Sequence, residues 1–195
     1  QLLESSANEK TNFLEALDGK RISSGPSGAP TRGKLEVLPT GKNFFSVDIR
    51  AIPTETAWDL GKRSAEQIVE LYLQENGEHL SHLAISIWGT STMRNGGEDI
   101  CQLFALMGLR PIWDGTLRRV VDVEVIPLSV LNRPRVDVTL RISGLFRDAF
   151  PQIIELIRRG QNLIGNLKES SSNNPLANSY RSGNTKSRIY GSAPG

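Results

Sequence analysis

The 195 residues include one cysteine, two histidines and no apolar run near the roughly 20 residues that cross a bilayer. A single thiol, Cys101, rules out an internal disulfide. Its place in an apolar helical pattern suits a small buried hydrophobe in a reducing compartment better than a reactive thiol. Two histidines leave little material for a metal centre, and no Ser-His-Asp arrangement is readable. His79 and His82 stand as His-x-x-His beside Glu78, but they precede the strand that carries the best ligand turn. They therefore fall at its amino end, opposite the expected crevice. A formal charge of +2 is too small to point to nucleic acid or an anionic membrane. The dinucleotide fingerprint Gly-x-Gly-x-x-Gly does not occur. Gly25 to Gly33 has the glycines of a phosphate loop but two prolines and no Gly-Lys-Ser/Thr, and Thr40-Gly-Lys-Asn43 lacks the upstream glycine. No signal-peptide pattern is present.

What is there reads as one α/β domain with tails. Hydrophobic content of 38% lies on the polar side of globular, so part of the chain is expected to stay unpacked. Residues 1–50 hold a short helix through Phe13, Leu14 and Leu17, then a Gly/Pro-rich extended segment. From Gly19 to Gly41 that segment is either a flexible linker, the favoured reading, or a loop held by contacts elsewhere. Residues 51–166 form the α/β domain. Thr54 can cap a helix to about Glu75, with Ala57, Leu60, Gly61, Ala65, Ile68, Leu71 and Tyr72 on one face and Asn76-Gly77 at its end. Leu83 to Trp88 is a buried strand, Gly97 to Met107 a helix closed by Gly108, and Arg110 to Trp113 and Val120 to Ile126 are strands. A short helix or turn at Pro127 to Leu131 precedes a strand at Val136 to Ile142. A last helix through Ile153, Ile154, Leu156 and Ile157 is capped by Asp148. Residues 167–195, rich in Ser and Asn, read as a mobile linker towards a further domain. The fold class is a small open, mostly parallel sheet flanked by helices, of the Rossmann or flavodoxin kind. The Ile85 strand is expected at its centre, between the Ile112 and Val138 strands, with the Val123 strand outside Ile112. The short link before Val123 would also suit an antiparallel edge.

In such a sheet, ligands sit outside the carboxyl ends of the strands. Two turns flank that place, Gly89 to Gly97 and Ser143 to Asp148. Free amides at Gly96 and Gly97 would favour an anion, and Arg94 and Arg147 would add forked donors for carboxylates or phosphates. The plainer alternative is a loop end at Gly96-Gly97, a solvated Arg94, and Arg147 paired with Asp148 or a neighbouring domain. Trp88 and Trp113 end strands, where each could floor a flat ligand or simply pack.

Several segments, taken together, resemble one family. They are Gly25-Pro-Ser-Gly-Ala-Pro-Thr-Arg-Gly33, Leu38-Pro-Thr-Gly-Lys-Asn-Phe-Phe-Ser-Val-Asp48, Trp88-Gly-Thr-Ser-Thr-Met-Arg-Asn-Gly-Gly-Glu-Asp99, Leu109-Arg-Pro-Ile-Trp-Asp-Gly115, Arg133-Pro-Arg-Val-Asp-Val138, Ser143-Gly-Leu-Phe-Arg-Asp-Ala-Phe-Pro151 and Arg188-Ile-Tyr-Gly-Ser-Ala-Pro-Gly195. They are similar to the cobaltochelatase and magnesium chelatase large-subunit family. Ser91-Thr-Met-Arg-Asn-Gly-Gly97 favours the aerobic cobaltochelatase branch. Family members are several times longer, so the resemblance implies an interior segment. It further implies a cytoplasmic enzyme of cobalamin biosynthesis that inserts Co2+, its substrate metal, into a corrin precursor of the hydrogenobyrinic acid a,c-diamide type. ATP would be used by separate AAA+ partner subunits and not bound by this segment, which would be inactive alone. The tetrapyrrole wall implied here comprises Trp88, Gly89, Thr90, Arg94, Asn95, Gly96, Gly97, Ser143 and Arg147. Glu98 and Asp148, with Asp48 and Asp99 behind them, are candidates for staging a proton or the metal. No metal-ligand cluster and no catalytic residue is readable. The alternatives are a docking module for other domains or the AAA+ partners, a magnesium chelatase-like protein, and a small-ligand domain unrelated to chelation.

Overall fold

In the computed structural model the chain begins with a 16-residue helix, α1 (Leu2–Leu17). The structure describes all residues except 29, 31–34, 45–47, 117, 184–185 and 193–195, together with the side chains at 36 and 44. Ser24–Gly25 (β1) pairs in parallel with Asn43–Phe44 (β2). Val37 is buried, and Thr40 and Gly41 bond to α1, which fits the alternative of a loop held by contacts. Much of the Gly25 to Gly33 motif lies outside the described residues.

Helix α2 (Glu55–Asn76) begins where Thr54 Oγ1 accepts from Ala57 N–H at 3.1 Å and ends at Gly77, whose φ of 73° is left-handed. Its buried stripe is Ala57, Gly61, Ala65 and Val69, a spacing of four, while Leu60 and Leu71 from the expected face are exposed. Small residues occupy that stripe because α2 crosses α4 (Glu98–Met107) closely. A Cβ on Gly61 would lie 2.6 Å from both Cys101 Cβ and Gln102 N. Seven of the ten residues of α4 are buried, so this helix is apolar nearly all round and runs through the core.

Strand β3 (His82–Ile87) leads into α3 (Gly89–Asn95) and then α4. Next come β4 (Leu109–Trp113), β5 (Val120–Val125), α5 (Leu128–Leu131) and β6 (Asp137–Ile142). The remaining elements are α6 (Gly144–Ala149), α7 (Pro151–Gly165), α8 (Pro175–Arg181) and β7 (Ile189–Gly191). The parallel sheet has the order β3-β6-β7, in register from His82 opposite Asp137 to Ile87 opposite Ile142, and from Leu140 opposite Ile189. The expected centre is therefore corrected: β6 is central and β3 lies at an edge among the described residues. β4 and β5 form a separate antiparallel pair, because the six residues between them are too few for a crossover.

Ile87, Val138, Leu140 and Ile142 turn one sheet face towards α4 and α7 in a single core with Leu103, Phe104, Ile153 and Ile157. Fully burying each such side chain contributes about 1.5–3 kcal/mol. The alternate residues Ala84, Ser86, Arg141 and Tyr190 are exposed on the other face. No helix among the described residues is long and apolar enough to cross a membrane.

The buried end of α4 leaves carbonyls that need donors. Arg133 donates to Ala105 O at 2.7 Å and Leu106 O at 3.1 Å. Arg135, 1% exposed, donates to Met107 O at 3.3 Å, Gly108 O at 3.0 Å and Ile126 O at 2.9 Å, and grips both Glu169 oxygens at 2.8 and 2.9 Å. The Arg133-Pro134-Arg135 segment is thus a clamp on the last turn of α4.

Two further expectations change. Asp148 does not cap the last helix: it lies inside α6, which Ser143 caps, and α7 starts on Pro151. Composition reads 167–195 as a mobile linker, yet the structure places α8 and β7 there. Fully buried Asn174 caps α8 through Ala177 N–H and donates to Ile164 O at 3.0 Å and Glu169 at 2.8 Å. Arg188 fastens β7 to β6 through Asp137, at 2.8 to 3.1 Å.

Candidate functional site

β3 and β6 lie side by side and end together, so the helices that follow them also start together. Ser143 Oγ accepts from Gly89 N–H at 3.2 Å and from Phe146 N–H at 3.1 Å, tying both starts to one hydroxyl. α3 and α6 then abut. A Cβ on Gly89 would lie 2.8 Å from Leu145 Cγ and 2.9 Å from Phe146 N, so only glycine fits there. Trp88 ends β3 with 60% of its surface exposed, and Thr90 is exposed beside it.

Arg147 is less available than the sequence suggests. Its guanidinium takes both Asp148 oxygens at 2.8 and 3.1 Å and reaches Ser192 O at 2.6 Å, as the plainer reading allows. Those hydrogen bonds hold the exposed Asp148 carboxyl below its ordinary value, which makes it a weak base at neutral pH. Asp48 is similarly committed. Hydrogen bonds from the side chain and backbone of Arg50, with a lesser one from Arg119, outweigh desolvation and lower it to about 2.

The expected turn from Gly89 to Gly97 is mostly helix α3, about 10 Å long. It separates the candidates into two groups. Trp88, Gly89, Thr90, Ser143 and Arg147 gather at the strand ends, whereas Arg94, Asn95, Gly96, Gly97 and Glu98 lie at the far end of α3. The expected anion cradle at Gly96-Gly97 is a buried corner instead. Asn95 Oδ1 accepts from Gly97 N–H at 2.9 Å and Glu98 N–H at 3.3 Å, capping α4. Gly96 O accepts from Thr54 N–H at 3.0 Å, and a Cβ on Gly97 would lie 2.8 Å from Ile52 Cγ2. Both glycines have positive φ, 73° and 91°, which this corner requires. Arg94 is exposed. Glu98 and Asp99 occupy the first turn of α4, where a carboxylate complements the helix dipole.

A groove of about 630 Å³ runs from the strand ends over the open sheet face, lined by Ser86, Trp88, Arg141, Ser143, Tyr190 and Ser192. It offers two aromatic faces, a guanidinium and hydroxyls. Arg141 and Tyr190 escaped the sequence-based list. The alternation of Asp137, Thr139 and Arg141 against Val138, Leu140 and Ile142 was the available signal for the first. Trp113 packs near the start of α2, donating from Nε1 to Pro53 O at 2.9 Å. Among the described residues, no group of three or more His, Cys, Asp or Glu could hold a metal ion. His79 lines a second cavity, between α2 and α5, and His82 Nε2 lies 3.9 Å from Asp137. Burial, with the nearby Glu98 charge, pushes the Cys101 thiol far up, so it is an inert hydrophobe.

A family profile described as CobN/Magnesium Chelatase matches residues 1–195. The chain is 51% identical over 186 residues to the aerobic cobaltochelatase subunit CobN of Pseudomonas aeruginosa, covering 95% of this chain and 15% of that protein. It is 37% identical over 163 residues to the magnesium-chelatase subunit ChlH of Oryza sativa subsp. japonica, covering 83% and 12%. The solved catalytic subunit of cobaltochelatase from Mycobacterium tuberculosis superposes with a TM-score of 0.83 at 42% identity, over 97% of this chain and 17% of that one. The chain thus spans about 15% of the length of the curated relative from Pseudomonas aeruginosa. A family match spanning residues 1–195, with 51% identity to a cobaltochelatase subunit against 37% to a magnesium-chelatase subunit, makes this chain a member of the CobN/Magnesium Chelatase family, on the cobaltochelatase side of it.

Proposed function

We propose that the chain is a module of the large subunit of an ATP-dependent cobaltochelatase, and that its strand-end groove forms one wall of the tetrapyrrole site. The observation that carries the cobalt assignment is the gap between 51% identity to a cobaltochelatase subunit and 37% to a magnesium-chelatase subunit. In this reading Co2+ and a corrin precursor of the hydrogenobyrinic acid a,c-diamide type are the substrates. AAA+ partner subunits hydrolyse the ATP, in the cytoplasm, and the module alone is inactive.

The groove suits the holding part of the reaction. Metal insertion needs the macrocycle held, two pyrrole protons removed and the metal delivered without its waters. Trp88 and Tyr190 offer flat faces for a flat ligand. Arg141 offers forked donors to a peripheral carboxylate or amide oxygen, and Arg94 extends the same chemistry from the far end of α3. Ser143, Gly89 and Arg147 set the groove's floor by locking α3, α6 and β7 together. Asn95, Gly96 and Gly97 support the wall from behind by fixing α3 to α4 and α2. Asp148 and Asp48, held as weak bases by their arginines, suit proton removal poorly, which leaves that step to Glu98, Asp99 or groups elsewhere in the subunit.

The test is a tetrapyrrole titration of the intact large subunit, followed by absorbance or fluorescence. Trp88→Ala and Arg141→Ala should each weaken binding about tenfold, or ~1.4 kcal/mol. Unchanged affinity in both variants would remove the wall assignment.

A further inference from the structure

Helix α1 is built the wrong way round for a helix that belongs only to this module. Leu2, Leu3, Phe13, Leu14 and Leu17 are 73, 93, 65, 62 and 70% exposed. At 100° per residue they fall within an arc of about 120°, an apolar stripe interrupted midway by Ser6 and Lys10. The opposite side is polar, with Ser5, Asn8, Asn12 and Glu15 less exposed than the stripe, and that is the side turned towards the rest of the chain. Ser5 Oγ accepts from Thr40 N–H at 3.0 Å, and Asn12 Nδ2 donates to Gly41 O at 2.7 Å. Gly41, at φ 88°, packs so tightly that a Cβ there would lie 2.7 Å from Asn8 C and Glu9 N. The helix therefore cannot roll to bury its own stripe.

We propose that this stripe is a docking face for another segment of the same large-subunit polypeptide, one presenting an apolar trough with a carboxylate near its middle. The inference rests on family membership and not on the tetrapyrrole reading. Three observations select this occupant. The relatives are several times longer than this chain, which matches only 15% and 17% of two of them, so ample polypeptide exists to supply the cover. A second copy fits poorly, because antiparallel pairing of two such stripes brings the Lys10 side chains of both copies to within about one residue's rise of each other on the shared face. An anionic bilayer fits poorly too, since α1 carries three glutamates against one lysine. Lys10 lies within the apolar arc, so the complementary surface needs one negative charge opposite it.

The experiment places the photo-crosslinking residue p-benzoylphenylalanine at position 14 of the intact large subunit, in the absence of tetrapyrrole and partner subunits. The expected product keeps the mass of one chain on a denaturing gel, and its cross-linked peptide maps outside residues 1–195. A product of twice that mass would overturn the proposal in favour of self-association. A cross-link that forms only when AAA+ subunits are added would overturn it in favour of a partner protein, and no cross-link under any condition would mean that the stripe is bare. As a second measurement, Phe13→Ser together with Leu17→Ser should speed proteolytic cleavage within residues 1–44 of the intact subunit about tenfold. Both side chains are exposed within this module, so a merely internal role predicts no change.

Discussion

Replacing Arg135 with methionine removes the guanidinium from the arginine clamp while keeping much of its volume. The loss can be worked from its five bonds. Two go to the Glu169 carboxylate and three to the carbonyls of Met107, Gly108 and Ile126. Some of these groups keep a partner afterwards: Ile126 N–H still donates to Gly108 O, and Asn174 still donates to Glu169. The five bonds therefore do not simply add. Breaking a buried ion pair at one end costs about 3–5 kcal/mol, and the lower figure is favoured here because the Glu169 carboxylate left behind is only partly buried. For a chain of this size each 1 kcal/mol moves the melting midpoint by about 2–4 °C, so a fall of roughly 6–20 °C is expected. Urea unfolding followed by circular dichroism gives the free energy directly. Arg135→Lys should recover only part of it, since an ammonium cannot span the carboxylate and three carbonyls. Arg135→Met combined with Glu169→Leu should cost less than the two single changes summed. A loss below about 1 kcal/mol for Arg135→Met, with an unchanged denaturant slope, would refute the clamp as a stabilising device.

Acid should expose the same clamp. Burial pushes the Glu169 carboxyl up, but hydrogen bonds from Arg135 and Asn174 and the Arg135 charge outweigh it and leave it lowered. A carboxyl lowered by folding stabilises fully above its unfolded value and loses that contribution as pH falls through its folded value. Midpoints should therefore hold from neutral to about pH 5 and then decline, and Glu169→Gln should flatten part of that decline. An identical acid slope in Glu169→Gln would argue against the pair. Gly61→Ala forces a Cβ to 2.6 Å from the Gln102 backbone nitrogen, so α2 and α4 must separate. A loss of about 1–3 kcal/mol in denaturant unfolding is expected, and wild-type stability would mean that the crossing is looser than described.

Local signals were legible wherever chemistry and period agreed. Thr54 and Gly77 bracket α2, and Gly108 closes α4, as capping chemistry dictates. Pairing was less legible because strand order depends on contacts that no local window contains. The link from Asp114 to Arg119 nonetheless carried the antiparallel answer, since six residues cannot make a crossover. β7 was hidden for a different reason. Three residues within a Ser- and Asn-rich stretch carry no periodicity, and their place is fixed by Arg188 gripping the buried Asp137. At the site, the glycines of Asn95-Gly96-Gly97 were read as a ligand turn. Their positive φ serves a packed corner instead, and sequence cannot distinguish the two uses.

The order β3-β6-β7 steps in one direction only, and its two crossovers leave their helices on one face. Crossovers of one hand can reach the opposite face only after the order reverses, and the described sheet has no reversal. The molecule thus has an interior on one side of its sheet and a front on the other. That front carries Ala84, Ser86, Arg141 and Tyr190, all exposed. Anything lodged at these strand ends would be gripped by this module from one side only.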